Sequence, residues 1–526
     1  MRTLIRVVTS PESAARDAAA IAAGIPSRAL MQRAGAAAAG EIALRYRDRL
    51  DGGALVLAGP GNNGGDAWVV ARALAVAGVR VRVIEPLAAK TRDARAERAL
   101  ALEVLGTEAI SGDAPSESAT GSERIVVDGL LGTGATGAPR GGVAEGIRQA
   151  SAMRAAGAAV VALDLPSGLN ASTGEASGDA VVADLTLTFA TLKRGHLVNR
   201  DLCGAIAVLD IGLGAFAELD DGAPSFIEEA WVSAQIPAIA ASAHKGVRKK
   251  IAIVGGAEGM VGAAILAGRA ARRSGVGMVK LVVAAESLVA VQHDEPYALA
   301  SPWPDDDAVV DEDIASWADC VVIGPGLGRG DASRAVLERV LRRWRGPTVL
   351  DADALTLFEG RAADLAALLD RRPALITPHP AEFGRLSGLA VDAVLGARFE
   401  VGGQIAELLN ATVLLKGVPT VITSPARQTL ISATGTPALA TAGSGDVLSG
   451  IAGTLLAQLG DPFVAAATAA WVHGRAAERV PMGSGTGVRG ISLDDVVNEL
   501  RDSWTFDARP SRYPVLVELP DVSGQR

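Results

Sequence analysis

Residues 59–67 read GPGNNGGDA, and the reading of this stretch decides the fold and chemistry of the first half of the chain. Its first six letters satisfy G-x-G-x-x-G. It stands between an apolar run, ALVLAG (54–59), and a helix-forming run, AWVVARALAVAG (67–78). A further run, VRVRVIE (79–85), ends on Glu85, about where a ribose-binding acid falls in a dinucleotide-binding unit. Strand, glycine turn, helix and strand in that order predict a parallel βαβ unit. The residues around the second glycine pair argue against a pyrophosphate. Such a group uses bare N–H groups at a helix N-terminus, and Asp66 would compete for that positive end and repel an anion.

The unit recurs. ERIVVDG (123–129), AAVVALD (158–164), ADLTLTFA (183–190) and GAIAVLDIG (204–212) are apolar runs separated by Ala-rich helical segments. Such runs predict a parallel sheet covered on both faces. Two helices are expected before the first strand, over 11–50. The pattern lapses at 216–245 and resumes with KIAIVGG (250–256), GMVKLVVA (277–284), ADCVVIGPG (318–326), PTVLDAD (347–353), PALITPHP (373–380), ATVLLKG (411–417) and PTVITSP (419–425). A long helical region follows from Asp446. The expectation is α/β architecture with two doubly wound domains, 1–225 and 240–508, and an irregular tail, 509–526.

Composition narrows the function classes. Of 526 residues, 49% are apolar and only 3% aromatic, so the core is built from Ala, Val, Leu and Ile. A net charge of −9 leaves no basic stripe for nucleic acid. Cys203 and Cys320 are distant in sequence and make no disulfide or metal pattern, which suits a reducing compartment. No apolar stretch reaches the roughly 18 residues of a membrane span, and no secretory signal is read at the N-terminus. The expectation is a cytoplasmic protein with small-molecule partners. Only seven lysines accompany the 43 arginines, so a lysine at a strand end merits inspection.

In open parallel sheets, ligands bind beyond the carboxyl ends of the strands. In the first half these ends carry GNNGGD (61–66), DGLLGTGATGAPRG (128–141), DLPSGLN (164–170) and TLKRG (191–195). Asn63, Asp128 and Ser167 offer oxygen donors, suited to a hard cation or to ribose and amide groups. The glycine-rich run at 132–137 is the better phosphate cradle. Ordinary turn chemistry would account for any one of these residues, but four such ends converge.

The second half has no G-x-x-x-x-G-K-[ST] and so no P-loop. It has TAGSGD (441–446) opening an apolar helix, where N–H groups and the helix dipole favour phosphate. Asp446 is placed either as a base for an attacking hydroxyl or as an N-cap. Lys416 follows a strand, and His379 is framed by two prolines; a surface lysine and a structural histidine are the plain alternatives.

M31-Q-R-A-G, G59-P-G-N-N-G-G-D, D128-G-L-L-G-T-G and D164-L-P-S-G, in this order, resemble the YjeF N-terminal domain, the NAD(P)H-hydrate epimerase family, with a Rossmann-like fold. The resemblance implies a potassium ion held by Asn63, Asp128 and Ser167. It implies hydrate binding by Asn62, Asn63, Gly64, Gly65 and Asp66, by Gly132, Thr133, Gly134, Ala135, Thr136, Gly137 and Ala138, and by Asp164. Asp164 is the candidate acid/base group, with Lys193 as partner or as a structural ion pair. Ala67 stands where the family usually continues with glycine.

HKG (244–246), GGxxGMVGAA (255–264), GPGLG (324–328), DADAL (351–355), PHPxE (378–382), KGxPT (416–420) and AGSGD (442–446) resemble the ribokinase-like NAD(P)H-hydrate dehydratase. That resemblance implies hydrate contacts from Ala263, Gly326, His379 and Asp446. Lys416, Gly417, Val418, Pro419, Thr420 and Gly445 would hold the nucleotide. PHPAEF and DEPYAL (294–299) depart from the usual family letters.

The function implied is repair of hydrated NADH and NADPH. The first domain would interconvert the R and S hydrates. The second would dehydrate the S form with ADP as co-substrate and Mg²⁺, releasing AMP and phosphate, with Asp446 as base; the sequence itself does not choose between ADP and ATP. Ribokinase-like relatives often assemble, so a homo-oligomer is expected. The competing reading is a vitamin or sugar kinase with a non-catalytic nucleotide-binding first domain.

Overall fold

The computed structural model describes residues 5–111, 122–216, 222–480, 488–506 and 511–522. The chain divides into two units, Met1–Ala223 with Arg509–Arg526, and Pro224–Ala508.

In the first unit the apolar runs form an eight-stranded sheet. Its order is Val515–Leu519, Ala205–Leu209, Leu185–Phe189, Ala159–Leu163, Ile125–Gly129, Ala54–Ala58, Val81–Ile84 and Ile110–Ser111. All neighbours are parallel except the first pair. Alternation along one strand shows why it is apolar throughout. Ala54, Val56 and Ala58 pack with Trp68 and Ile42 on one face, while Leu55 and Leu57 pack with Ile147 and Met153 on the other. A strand with helices on both faces has no polar side to present. The two expected N-terminal helices are Ser10–Ala22 and Ser27–Arg45, and the glycine of MQRAG does not interrupt the second.

The residues after 508 correct the expected irregular tail. Val515–Leu519 forms the antiparallel edge strand beside Ala205–Leu209, with Val515 and Leu519 buried. Arg45 reaches Glu518 at 2.7 Å, and Arg512 pairs with the buried Glu41. The boundary placed at 508 lies outside the described residues.

The second unit holds ten strands in the order Ser225–Phe226, Leu430–Ser432, Thr420–Thr423, Thr412–Leu415, Ala374–Ile376, Thr348–Leu350, Cys320–Ile323, Lys250–Val254, Met278–Val283 and Leu299–Pro302. The hairpin from Thr412 to Thr423 and its neighbour Leu430–Ser432 are antiparallel, and the remaining pairs are parallel. The Ser444–Leu459 helix carries glycines where it packs closely, Gly453 against this sheet and Gly450 against the Val261–Arg273 helix. A methyl at Gly453 would meet Val322 at 2.4 Å, and one at Gly450 would meet the Ala267 carbonyl at 2.1 Å. Both units therefore have the doubly wound α/β build expected of them. Among the described residues no helix is long and apolar enough to cross a membrane.

Strand order fixes where ligands can bind. In each sheet the chain runs outward from a central strand, then returns to that strand's other side. The switch lies between Ala54–Ala58 and Ile125–Gly129 in the first unit, and between Lys250–Val254 and Cys320–Ile323 in the second. Crevices open at such points, beyond the carboxyl ends. GNNGGD and DGLLGTG flank the first crevice; GGxxG and GPGLG flank the second.

Candidate active sites

In the first unit, Asn62–Val76 is a helix, so Asn62 to Asp66 are its opening turns. The glycines are there for close packing. A methyl at Gly64 would lie 1.8 Å from the Gly59 carbonyl, and one at Gly65 would lie 2.5 Å from Met31 Sδ. Met31 begins the MQRAG segment, which explains why those two motifs occur together. Ala67, the departure from the family's glycine, is buried, and a methyl at Gly129 would lie 2.5 Å from its Cβ.

Asn63, Asp128 and Ser167 meet at the switch point. Ser167 donates its hydroxyl to Asp128 Oδ1 at 2.6 Å and its N–H to Oδ2 at 2.8 Å. Leu131 N–H donates to Ser167 Oγ at 2.9 Å, and Asn63 Nδ2 donates to the Leu131 carbonyl at 2.7 Å. Asn63 Oδ1 is buried without a hydrogen-bond partner. Burial pushes the Asp128 carboxyl up to about 6 against the pull of its Ser167 and Leu130 bonds. An orphaned acceptor beside a buried carboxylate is the chemistry a hard cation relieves. The glycine loop after Leu131 begins against this group, since a methyl at Gly132 would lie 3.1 Å from Asn63 Cβ. Thr133 is held through its carbonyl, which accepts from Ser10 Oγ at 2.6 Å. Gly134 and Gly137 face open space.

Asp164 follows the Ala159–Leu163 strand in a left-handed conformation, φ 61°, a backbone state that non-glycine residues hold at a cost and that clusters at functional sites. Lys193 Nζ, almost wholly buried, donates to Asp164 Oδ1 at 2.5 Å and to Thr188 Oγ1 at 2.8 Å. Burial pushes the Asp164 carboxyl up, but the Lys193 ammonium outweighs it and holds the group below its ordinary value. His196 ties the two backbones together: Nδ1 accepts from Lys193 N–H at 3.1 Å, and Nε2 lies 2.8 Å from the Asp164 carbonyl. That pairing fits the neutral ring with its proton on Nε2. Asp66 is 9% exposed, and burial, then Asp164 and Asp17, push its carboxyl well up. Thr188, His196 and Asp17 had not been singled out in the sequence; only the scarcity of histidine could have drawn attention to one of them.

In the second unit, Gly326 turns with φ 59° and would collide with the Met260 carbonyl if it bore a methyl, which would also lie 3.1 Å from Ala263 Cβ. The structure thus brings Ala263 and Gly326 together. Asp446 lies in the first turn of the Ser444–Leu459 helix, whose N-cap is Gly443, φ 96°. Gly443 holds the N-cap position and Asp446 stands inside the helix, so the N-cap alternative fails. Burial first, then Asp351, push the Asp446 carboxyl up to about 7. Residues 416–419 are the turn of the hairpin and Thr420 opens its second strand, with Thr420 Oγ1 donating to the Gly417 carbonyl at 3.1 Å and Arg398 to the Val418 carbonyl. Lys416 Nζ donates to Asp351 Oδ1 at 2.8 Å and lies 3.7 Å from Glu382 Oε2. Burial would lower this ammonium, but Asp351, Glu382 and Asp446 together raise it. A surface lysine is thereby excluded.

His379 has a structural duty. Its Nδ1 caps the Pro380–Ser387 helix by accepting from Ala381 and Glu382 N–H, while Glu382 reaches back to the His379 N–H at 2.8 Å. Glu382 thereby stands between His379 and Lys416. The departing DEPYAL stretch is structural where it matters most, because Glu295 is buried and paired with Arg269 and Arg272. HKG lies before the amino end of the Lys250–Val254 strand, the end opposite the crevice. Asp351, Glu382 and Ser449 complete the site and had not been assigned roles.

Two family models match the chain: the YjeF-related protein N-terminus over residues 27–195 and the NAD(P)H-hydrate dehydratase over 251–499. The bifunctional NAD(P)H-hydrate repair enzyme Nnr of Moorella thermoacetica is 35% identical over 475 residues, 86% of this chain and 88% of that one. The chain belongs to the bifunctional NAD(P)H-hydrate repair enzyme family. The family's Escherichia coli K12 member is 34% identical, covering 91% of this chain and 90% of its own. A solved ADP/ATP-dependent NAD(P)H-hydrate dehydratase of Bacillus subtilis, co-crystallised with ATP/Mg²⁺, aligns at 29% identity over 53% of this chain and 97% of that one, with a TM-score of 0.46. Similarity to repair enzymes across both units favours epimerase plus dehydratase over a kinase with a non-catalytic first half.

Proposed function

We propose that the two crevices divide the repair of hydrated NAD(P)H: the first interconverts the R and S hydrates, and the second dehydrates the S form with ADP. In the first, Lys193 and Asp164 are the acid/base pair acting at the hydroxyl-bearing ring carbon. The strained backbone at Asp164 and the ion pair with a buried ammonium support that role. Asn62 to Asp66, the 132–138 loop and Asp164 line the hydrate seat. Potassium fits the group formed by Asn63, Asp128 and Ser167, whose orphaned acceptor and buried carboxylate call for a cation. Bound there, it would supply positive charge beside the hydrate's phosphates. Asp128 and Ser167 hold that seat in place.

In the second crevice, hydroxide is a poor leaving group, so the ring hydroxyl is first phosphorylated. Asp446 takes the hydroxyl proton, the oxygen attacks the terminal phosphorus of ADP, and AMP leaves. Phosphate then departs with the C–O electron pair, a ring proton is lost, and the double bond is restored. The Gly443–Gly445 amides stabilise charge on the transferring group, and Lys416 to Thr420 hold the nucleotide. Bound with the nucleotide, Mg²⁺ would neutralise charge on its phosphates. Ala263, Gly326 and His379 border the hydrate.

The observation that carries this reading is Asp446, a carboxyl raised to about 7 at the mouth of a glycine-capped helix. A general base works best with its pKa near the operating pH. The test supplies hydrated NADH with Mg²⁺ and either ADP or ATP and follows return of the dihydronicotinamide near-UV absorbance. Recovery with ADP is expected. No recovery with either nucleotide overturns the dehydratase reading, and full activity in Asp446→Asn overturns the base assignment.

A further inference from the structure

Asp351 follows the Thr348–Leu350 strand and is 1% exposed. Both of its carboxylate oxygens are engaged. Oδ1 accepts from Lys416 Nζ at 2.8 Å, and Oδ2 accepts from Ser449 Oγ at 2.6 Å. Ser449 lies one turn beyond Gly445 in the Ser444–Leu459 helix, and its hydroxyl oxygen is 3.0 Å from the Gly445 carbonyl. The ammonium and the carboxylate also press on the loop itself. A methyl at Gly445 would lie 3.0 Å from Lys416 Nζ and 3.5 Å from Asp351 Oδ2. A strand end, a hairpin turn and the helix N-terminus therefore meet at one side chain.

We infer that Asp351, clamped by Ser449, is a positioning residue that holds the Lys416 ammonium against the Gly443–Gly445 loop and away from the Asp446 carboxylate. The inference rests on the proposed role of Asp446 as base. A lysine is a flexible point charge with three donors. Freed from Asp351, it would turn to the nearest remaining carboxylates, Asp446 and Glu382, and an ammonium paired with Asp446 would tie up the base. Asp351 supports the base a second way. The charged groups acting on Asp446 are Asp351, Lys416, Asp353 and Glu382; after burial, Asp351 contributes most to raising it, while Lys416 opposes. Because Asp351 is 1% exposed and both its oxygens face protein donors, its part is to hold other groups rather than to contact the substrate.

The test measures dehydratase turnover of the full chain against pH, with melting temperature as a fold control, for wild type, Asp351→Asn, Ser449→Ala and Asp446→Asn. The wild-type rate should rise through about pH 7 as Asp446 ionises. In Asp351→Asn the acid limb should move down by roughly one pH unit, because a neighbouring negative charge is gone, and kcat above the limb should fall. Ser449→Ala keeps every charge, so its limb should stay in place while kcat falls roughly fivefold, the worth of one hydrogen bond. A folded Asp351→Asn with wild-type limb and kcat overturns the inference. If Asp351→Asn does not fold, Ser449→Ala decides: a wild-type kcat overturns the inference, and a lowered kcat at wild-type melting temperature supports it. Retained turnover in Asp446→Asn would overturn the base reading itself. An inactive Asp446→Asn beside an unaltered Asp351→Asn would overturn only the positioning role.

Discussion

Lys193 Nζ sits 2.5 Å from Asp164 Oδ1 with its side chain only 1% exposed, so the ammonium's direct partner is a carboxylate in a nearly dry site. Removing one partner of such a pair strands the other, at about 3–5 kcal/mol. Lys193→Met should lower the melting temperature of the first unit and abolish epimerisation of a purified R hydrate, followed by chromatographic separation of the two forms. Lys193→Arg should fold better than Lys193→Met yet remain impaired, because a planar guanidinium cannot occupy a point-charge seat. An epimerase-active Lys193→Met would refute the acid/base assignment.

Potassium binding should be visible as stability. Asp128 titrates near 6 when folded, against an ordinary 3.8, so its ionisation disfavours the folded state progressively as pH rises from 3.8 through 6. A cation that neutralises it should therefore raise the melting temperature more at pH 7.5 than at pH 5. Choline chloride at equal ionic strength is the control. Asp128→Asn should remove most of the difference, and equal effects of K⁺ and choline would exclude the site.

His196 works in the opposite direction. Burial holds it neutral, with a folded pKa of about 3 against 6.5 when unfolded. Between those values the unfolded chain binds a proton that the folded chain does not, so stability falls as pH drops from 6.5 towards 3. His473 in the second unit is lowered to about 4 for the same reason. His196→Gln should flatten the acid side of the stability curve for the first unit, measured by denaturant titration at several pH values. An unchanged slope would show that other groups govern it.

Deleting residues 511–526 should cost the first unit its edge strand. Burial of Val515 and Leu519 is worth roughly 3–5 kcal/mol at most, and Glu41 would lose its pairing with Arg512. Epimerase activity and the first melting transition should fall, while dehydratase turnover persists. Loss of both activities together would contradict the assignment of this strand to the first unit.

The central strands were legible in the sequence because each is buried on both faces and reads as an unbroken apolar run, as ALVLA does. VLVEL at 515–519 was not, since it pairs with Ala205–Leu209 across some three hundred intervening residues and no local pattern reports such a partner. The site divides in the same way. Asn63, Asp128, Ser167 and Asp446 stand in glycine-containing motifs at the ends of strands and helices, whose letters mark them. Asp351 lies within the DADAL motif, but its partners are Ser449 and Lys416, brought together only by packing of the Ser444–Leu459 helix under the sheet. Gly64 shows the converse: its letter completes a G-x-G-x-x-G match, and what requires a glycine there is the Gly59 carbonyl, as Met31 does at Gly65.

Because Val515–Leu519 completes the first sheet, the dehydratase unit is an insertion between one strand and its edge partner. A ribosome making this chain therefore releases the first unit with an open edge and finishes the entire second unit before the covering strand emerges. The epimerase begins first and is completed last. Throughout that interval the backbone edge of Ala205–Leu209 is available to any passing strand, so the order of synthesis places the hazard of aggregation on the N-terminal half of the nascent chain.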